Sequence, residues 1–404
     1  MSRMRAATCW NGKTTTANRS GGAPPERSPR MTTDTAPAAA GEPAPDAPRI
    51  WLVVGDKPGD NAQVEIIAEA LGLPYETKRL LPKPEWVLGK PRFKASLYHL
   101  DLERSDKLEP PWPDLILTVG RRPSMAALWI QAQSGGHSRI VLLGRPKRWM
   151  ERFSLVIVPA QYRMPDDPKV LKLDLPLMRS NEAAIAEAAE AWRERLADLP
   201  RPLTALLIGG PTKPFRFDAD AARELLARAR AAAGEGFLYI STSRRTPPEV
   251  IEALEKNLPP NARLYRWSPD SSDNPYLALL GLADRFIVTG DSISMMVEVA
   301  RMGKPLAIYA LPYRKGPAGR LQQVLGGWLH GGTPERGADR LLLGLGKALY
   351  RLGLIRYSRD LTAIHQLLYD KGLAVPLGAP FAQPRQRPAD ELQGVSERIR
   401  ALLA

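Results

Sequence analysis

Short, wholly apolar runs alternate along this chain with longer segments whose apolar residues recur at helical spacing. Ile50 to Val54 is a continuous apolar run ended by Gly55, the pattern of a strand buried on both faces of a parallel sheet. From Ala62 to Leu71, Val64, Ile67, Ala68 and Leu71 mark one helical face, and Gly72 closes it. The pattern continues with strands at 115–119, 139–143 and 155–159 and a helix at 125–133. A polar, alanine-rich helix at 181–196 runs up to Pro200 and Pro202, and a second series follows. Its predicted strands are 203–208, 237–241, 263–265, 285–289 and 305–309, and its helices 219–232, 248–257, 276–282 and 292–302. Two alternating series predict an α/β chain with two doubly wound parallel-sheet domains facing a cleft.

The flanks behave differently. Residues 1–48 are rich in Ala, Pro, Thr, Ser, Gly and Arg without apolar periodicity, the composition of a disordered tail. The expected domains are 49–199 and 200–345. Residues 346–376 are expected as helices packing back on the first domain, and 377–404 as a Pro/Gln-rich tail. An amphipathic helix is expected over 341–354; broken by Lys347 and Arg351, it is too polar to cross a bilayer.

Composition narrows the function classes. The single cysteine, Cys9, excludes a disulfide framework and a cysteine-based zinc site, and the four histidines share no ligand spacing, so no metal is expected. With no secretory signal among the first thirty residues, a cytoplasmic protein is expected. The net charge of +14 is spread over all parts of the chain and aromatics are 7%, a distribution that disfavours nucleic acid. It suits small anionic ligands or an anionic membrane surface. Arg145, Lys147, Arg148 and Arg152, interleaved with Trp149 and Phe153, form a candidate patch for peripheral attachment to such a membrane.

Doubly wound sheets bind ligands at the carboxyl ends of their strands, so the loops there carry the candidate chemistry. After the first strand, Gly55, Asp56, Lys57, Gly59, Asp60, Asn61 and Gln63 crowd one loop. Asp60 or Asp56 is a candidate general base, and the glycines admit a close ligand. The spacing is neither a dinucleotide fingerprint nor a Walker loop. Gly120, Arg121 and Arg122 follow another buried strand and suit a phosphate or carboxylate. The second series opens with Gly209, Gly210, Thr212 and Lys213, and its next strand leads to Ser243 and Arg244. The segment Gly290, Asp291, Ser292, Ser294, Met295 to Glu298 reads as a strand end followed by a helix mouth, a seat for a diphosphate with Glu298 two turns inside to meet a ribose. Each loop also has a plainer account as a capped turn; Asp218-Ala219-Asp220 reads as helix capping rather than as a metal motif.

These stretches, Gly55 to Gln63, Thr118 to Pro123, Ile208 to Phe215, Thr242 to Pro247 and Thr289 to Glu298, make the chain resemble the Elm family over about residues 50–375. That family is named for a plant mitochondrial-fission factor, and its bacterial members are often labelled nucleoside-diphosphate-sugar epimerases. The layout is also similar to Rossmann-like GT-B glycosyltransferases, in particular the peptidoglycan N-acetylglucosaminyltransferase and lipid A disaccharide synthase. That wider resemblance implies a metal-independent sugar transferase without a bound cofactor. Its nucleotide-diphosphate sugar would sit on the second domain and its acceptor, lipid-linked acceptors included, on the first. Asp291 beside the diphosphate would then need Arg244, Lys213 or a metal to offset it. The alternative is a catalytically silent Elm-like binding or scaffold protein at a membrane surface.

Overall fold

The computed structural model describes residues 47–313 and 360–404, apart from Leu88, Arg163, Pro165, Ser180, Lys213, Pro214, Asp270 and Ser272. The expected tail at 1–46 and helix at 341–354 lie outside the described residues.

The first sheet is wholly parallel, in the order β2-β1-β3-β4-β5-β6. Its strands are β1 (Ile50–Val54), β2 (Glu76–Arg79), β3 (Leu115–Val119), β4 (Arg139–Leu143), β5 (Leu155–Pro159) and β6 (Val170–Leu173). The apolar runs occupy β1, β3, β4 and β5, which have neighbours on both sides, and alternate residues serve different faces. Ile50, Leu52 and Val54 pack with Val64, Ile67 and Leu71 of α1 (Pro58–Leu71), whereas Trp51 and Val53 pack with Met125, Leu128 and Ile130 of α3 (Arg121–Gln133). A short helix α2 (Pro84–Val87) lies in the long connection between β2 and β3.

The second sheet, also parallel, runs β12-β11-β10-β7-β8-β9. It comprises β7 (Leu203–Leu207), β8 (Phe237–Ser241), β9 (Ala262–Tyr265), β10 (Arg285–Thr289), β11 (Leu306–Tyr309) and β12 (Val375–Pro376). Its helices are α5 (Ala219–Ala233), α6 (Pro248–Lys256), α7 (Tyr276–Leu282) and α8 (Ile293–Arg301). The two doubly wound parallel sheets are therefore as the strand pattern predicts. In each, strand order reverses at one point, between β1 and β3 and between β7 and β10, and the loops leaving those four strands hold Gly55, Gly120, Gly209 and Gly290.

The edges depart from expectation. β2, β6 and β12 lack the apolar runs of buried strands, since each lies at or near a sheet edge with much of its surface exposed. Helix α4 (Glu182–Ala197), assigned by sequence to residues 49–199, instead inserts Ile185, Trp192 and Leu196 into the core of the second sheet. The ending is also exchanged. Of 346–376, expected on the first domain, the described residues from 360 on join the second: α9 (Leu361–Asp370) buries Leu361, Ile364 and Leu368 in the second core and leads into β12. It is the expected tail at 377–404 that returns: α10 (Leu392–Leu403) buries Val395 and Ile399 against α1, and Arg400 donates to the Leu71 carbonyl at 2.8 Å. A short amphipathic helix buries its apolar stripe on whichever face stands open, which residue order alone does not specify.

Candidate functional site in the cleft

A cavity of 1180 Å³ opens between the two sheets, lined from both by the loops at their strand ends. Three helices begin on it: α1 through Lys57, Gly59 and Asp60, α3 through Gly120 to Pro123, and α8 through Ser292 to Ser294. None of the three has a side-chain cap, but in α1 Pro58 carries no N–H and the Asp60 amide donates to the Lys57 carbonyl at 3.1 Å, so the mouth of α8 is the more open to a ligand. By contrast, Asn181, Asp218 and Asp360 cap α4, α5 and α9 with side-chain oxygens. Among the described residues, the lining holds eight Lys or Arg against three Asp and no Glu.

On the first sheet, the loop expected after β1 is instead the first turn of a helix. Pro58 starts α1, four residues before the predicted Ala62, because its fixed φ suits the first helical position. Asn61 is buried and grips Gly55, donating to its carbonyl at 2.9 Å and accepting from its amide at 3.3 Å, while Gln63 donates to the Gly59 carbonyl at 3.2 Å. These two shape the turn. Asp56 accepts from Arg122 at 2.5 Å, and Arg122 also donates to the carbonyls of Trp86 and Val87. Arg121 donates to the Pro91 carbonyl at 2.6 and 3.0 Å. The arginine pair thus fastens the β2–β3 connection to the cleft wall. Gly120 takes φ 81°, a left-handed conformation that a side chain would strain. Asp60 lines the cavity, and its carboxylate has no partner among the described residues.

On the second sheet the wall is packed backbone. The amide of Gly209 donates to Thr289 Oγ1 and that of Gly210 to Asp291 Oδ2, both at 2.8 Å. A Cβ at Gly210 would come within 2.2 Å of the Arg245 carbonyl, and one at Gly290 within 2.4 Å of the His365 ring. Ser243 supports this wall from behind, donating to the Gly209 carbonyl at 3.2 Å. Asp291 is buried beside the helix mouth, and burial pushes its carboxyl above the usual range against the pull of the Gly210 amide and Arg245. Its partner is Arg245, at 3.2 Å, which also donates to Thr212 at 3.2 Å. The expected Arg244 is exposed and outside the lining, and Lys213 lies outside the described residues. One step along an exposed turn decides which of two adjacent arginines faces the cleft, and composition does not encode that step.

Two further assignments change. The Glu298 carboxylate is taken by the Tyr276 hydroxyl behind α8 and does not line the cavity; burial raises its pKa. Met295 packs against the second core. The patch around Trp149 also divides. Arg145 and Lys147 line the cavity, Arg152 donates to the Leu128 carbonyl at 2.9 Å, and Phe153 is fully buried, so these residues do not form one exposed face.

Sequence reasoning missed Arg245 as the inward arginine, Arg179 and Lys90 in the lining, and two buried histidines behind it. His99 donates from Nε2 to the Arg122 carbonyl at 3.1 Å, and His365 likewise to the Gly290 carbonyl at 2.7 Å. Burial lowers both, His99 to about 4, so each is neutral at pH 7 and holds one wall loop in place. Neither carried a sequence signal, since each reaches its loop from a distant element.

No group of His, Cys, Asp and Glu among the described residues is arranged to hold a metal ion, and no described helix is long and apolar enough to cross a membrane.

The family model described as "Mitochondrial fission ELM1" matches residues 58–326. The mitochondrial fission protein ELM1 of Arabidopsis thaliana is 28% identical over 240 residues, 54% of this chain, and the match spans 56% of that protein's length. An uncharacterized protein of Rickettsia prowazekii is 27% identical over 300 residues, covering 65% of this chain and 83% of that one. Among solved structures, UDP-GlcNAc 2-epimerase from Neisseria meningitidis bound to UDP-GlcNAc matches with a TM-score of 0.41 and 13% identity, over 88% of this chain and 99% of that one.

Proposed function

The chain belongs to the mitochondrial fission ELM1 family, and we propose that its cleft binds a nucleotide-diphosphate sugar on the second-sheet side and transfers the sugar to an acceptor hydroxyl on the first. The observation that supports this reading most is the sharing of one cavity by three features. These are the open mouth of α8, Arg245 with Thr212, and Asp60 on the opposite wall.

The chemistry follows from that placement. The first amides of α8 and the positive end of its dipole would receive the diphosphate, with Arg245 adding a full charge. Arg245 also offsets Asp291, the role expected of Arg244. Across the cavity, Asp60 would accept the acceptor's hydroxyl proton as its oxygen bonds to the anomeric carbon. The bond from that carbon to the diphosphate oxygen breaks, and the electron pair leaves with the diphosphate, whose charge the helix mouth and Arg245 stabilise. Asp56, held by Arg122, is less suited to the base role.

Calorimetry with a panel of nucleoside diphosphates tests the reading. Saturable binding is expected, weakened about tenfold or more by Arg245→Ala, the loss of one charge-assisted contact. Absence of binding across the panel would overturn it in favour of a scaffold that keeps the fold without the chemistry.

A further inference from the structure

Asp291 stands at the mouth that would receive the diphosphate, in surroundings that suit a permanent anion poorly. Its side chain is fully buried and wedged against the backbone of Gly209, where an added Cβ would fall 2.3 Å from Oδ2 and 2.8 Å from Oδ1. Oδ2 accepts from the Gly210 amide at 2.8 Å and from Arg245 at 3.2 Å, whereas Oδ1 is buried with no hydrogen-bond partner. Close packing keeps the carboxylate from turning out to solvent.

Side-chain charge on this wall is also short. Among the described residues it brings one cation, Arg245, and one carboxylate, Asp291, to the cavity, and the two cancel. The other titratable groups around it do not alter that. Arg244 is exposed and outside the lining, His365 is neutral behind Gly290, and Glu298 is held by the Tyr276 hydroxyl behind α8. Asp60 faces it from the opposite wall. The amides of Ile293, Ser294 and Met295 have no acceptor among the described residues and suit an anion. A diphosphate seated there would meet a buried carboxylate, and a single guanidinium cannot serve both anions at full strength. A proton on Asp291 removes the repulsion and leaves Arg245, half exposed and able to move, to the ligand.

We propose that Asp291 is a positioning residue of the diphosphate seat: it takes up a proton from solvent as the diphosphate enters the mouth of α8, and so releases Arg245 to the ligand. This rests on the reading of that mouth as the diphosphate seat. Burial already pushes the Asp291 carboxyl upward, the direction required.

The test titrates the tightest-binding nucleoside diphosphate into the full chain and into Asp291→Asn, at about pH 7.5, in buffers of low and high protonation enthalpy. The parent should take up more protons per ligand than the variant, by up to about one, a difference that cancels the ligand's own phosphate. Asp291→Asn should bind about fivefold or more tightly than the parent at about pH 8, and by a smaller margin at about pH 6, whereas a merely structural Asp291 gives weaker binding at both. Infrared difference spectra of the parent alone should gain the carbonyl stretch of a protonated carboxyl on binding, which decides the matter even if the variant does not fold. Equal proton uptake in the two chains, weaker binding by Asp291→Asn at both pH values, or no new carboxyl band overturns the proposal and leaves the nucleotide reading intact. If no nucleotide binds, inorganic pyrophosphate takes its place. Pyrophosphate binding with the same extra proton uptake upholds the proposal and removes only the nucleotide, and no binding of either overturns both.

Discussion

The two walls of the cleft present their chemistry by different means. On the first sheet the lining is set by side chains, Lys57 and Asp60 at the mouth of α1 and Lys90, Arg145 and Lys147 from the neighbouring loops, and a Cβ at Gly59 would touch nothing within 4 Å. On the second sheet the wall is glycine backbone pressed on its neighbours: Gly210 lies against the Arg245 carbonyl, Gly209 against the Asp291 carboxylate, and Gly290 against the His365 ring. The contrast teaches that the first wall is defined by which charges it displays, while the second is defined by how closely its loops approach. Charges can be exchanged with little effect on folding, but close approach leaves no room for a methyl group.

The strongest way to break the comparison is at Asp60. If the proposed transfer holds, Asp60→Asn should lower it by roughly 10²- to 10⁴-fold while leaving nucleotide affinity unchanged, as read by turnover and calorimetry on one preparation. Loss of nucleotide binding in that variant would mean the walls do not divide the work.

Next in size is a matched pair of alanines. Gly210→Ala should destabilise by about 1–3 kcal/mol in urea unfolding, because its Cβ meets main chain that has no rotamer by which to yield. Gly59→Ala, in the first turn of α1 with open space around it, should shift stability by no more than about 1 kcal/mol, in the stabilising direction. Equal losses would erase the distinction.

A smaller effect lies in the buried histidines behind each wall. His99 and His365 are neutral in the fold with lowered pKa values, whereas an unfolded chain protonates them near the ordinary value of about 6.5. The unfolded state therefore takes up protons first, and stability present above that value falls as pH drops, for His99 down to about 4. His365→Gln, which keeps a donor for the Gly290 carbonyl, should reduce the loss of urea midpoint between pH 7 and 5. A slope identical to the parent's would remove His365 from the account. Smallest of all, Lys57→Ala at the exposed start of α1 should leave stability within about 0.5 kcal/mol, as differential scanning would show.

Legibility in the sequence follows the same physics. β1, β3, β7 and β10 were readable because strands covered on both faces are predominantly apolar, and the loops beyond them followed from the rule that ligands bind at the carboxyl ends of such strands. Glu298 and Arg244 show the limit. A carboxylate two turns into α8 and an arginine beside a hydroxyl both have the right chemistry, but Tyr276 claims the first and a single residue's rotation turns the second outward.

The sequence by itself determined the two alternating series, the identity of the strand-end loops and the surplus of positive charge, because periodicity, turn residues and charge are local properties. Tertiary structure alone decided three things: the merging of three helix mouths into one cavity, the pairing of Asp291 with Arg245, and the placement of α9 on the second sheet and α10 on the first. Those outcomes depend on distances between residues far apart in the chain, and such distances are set only when apolar faces find their partners and exclude water.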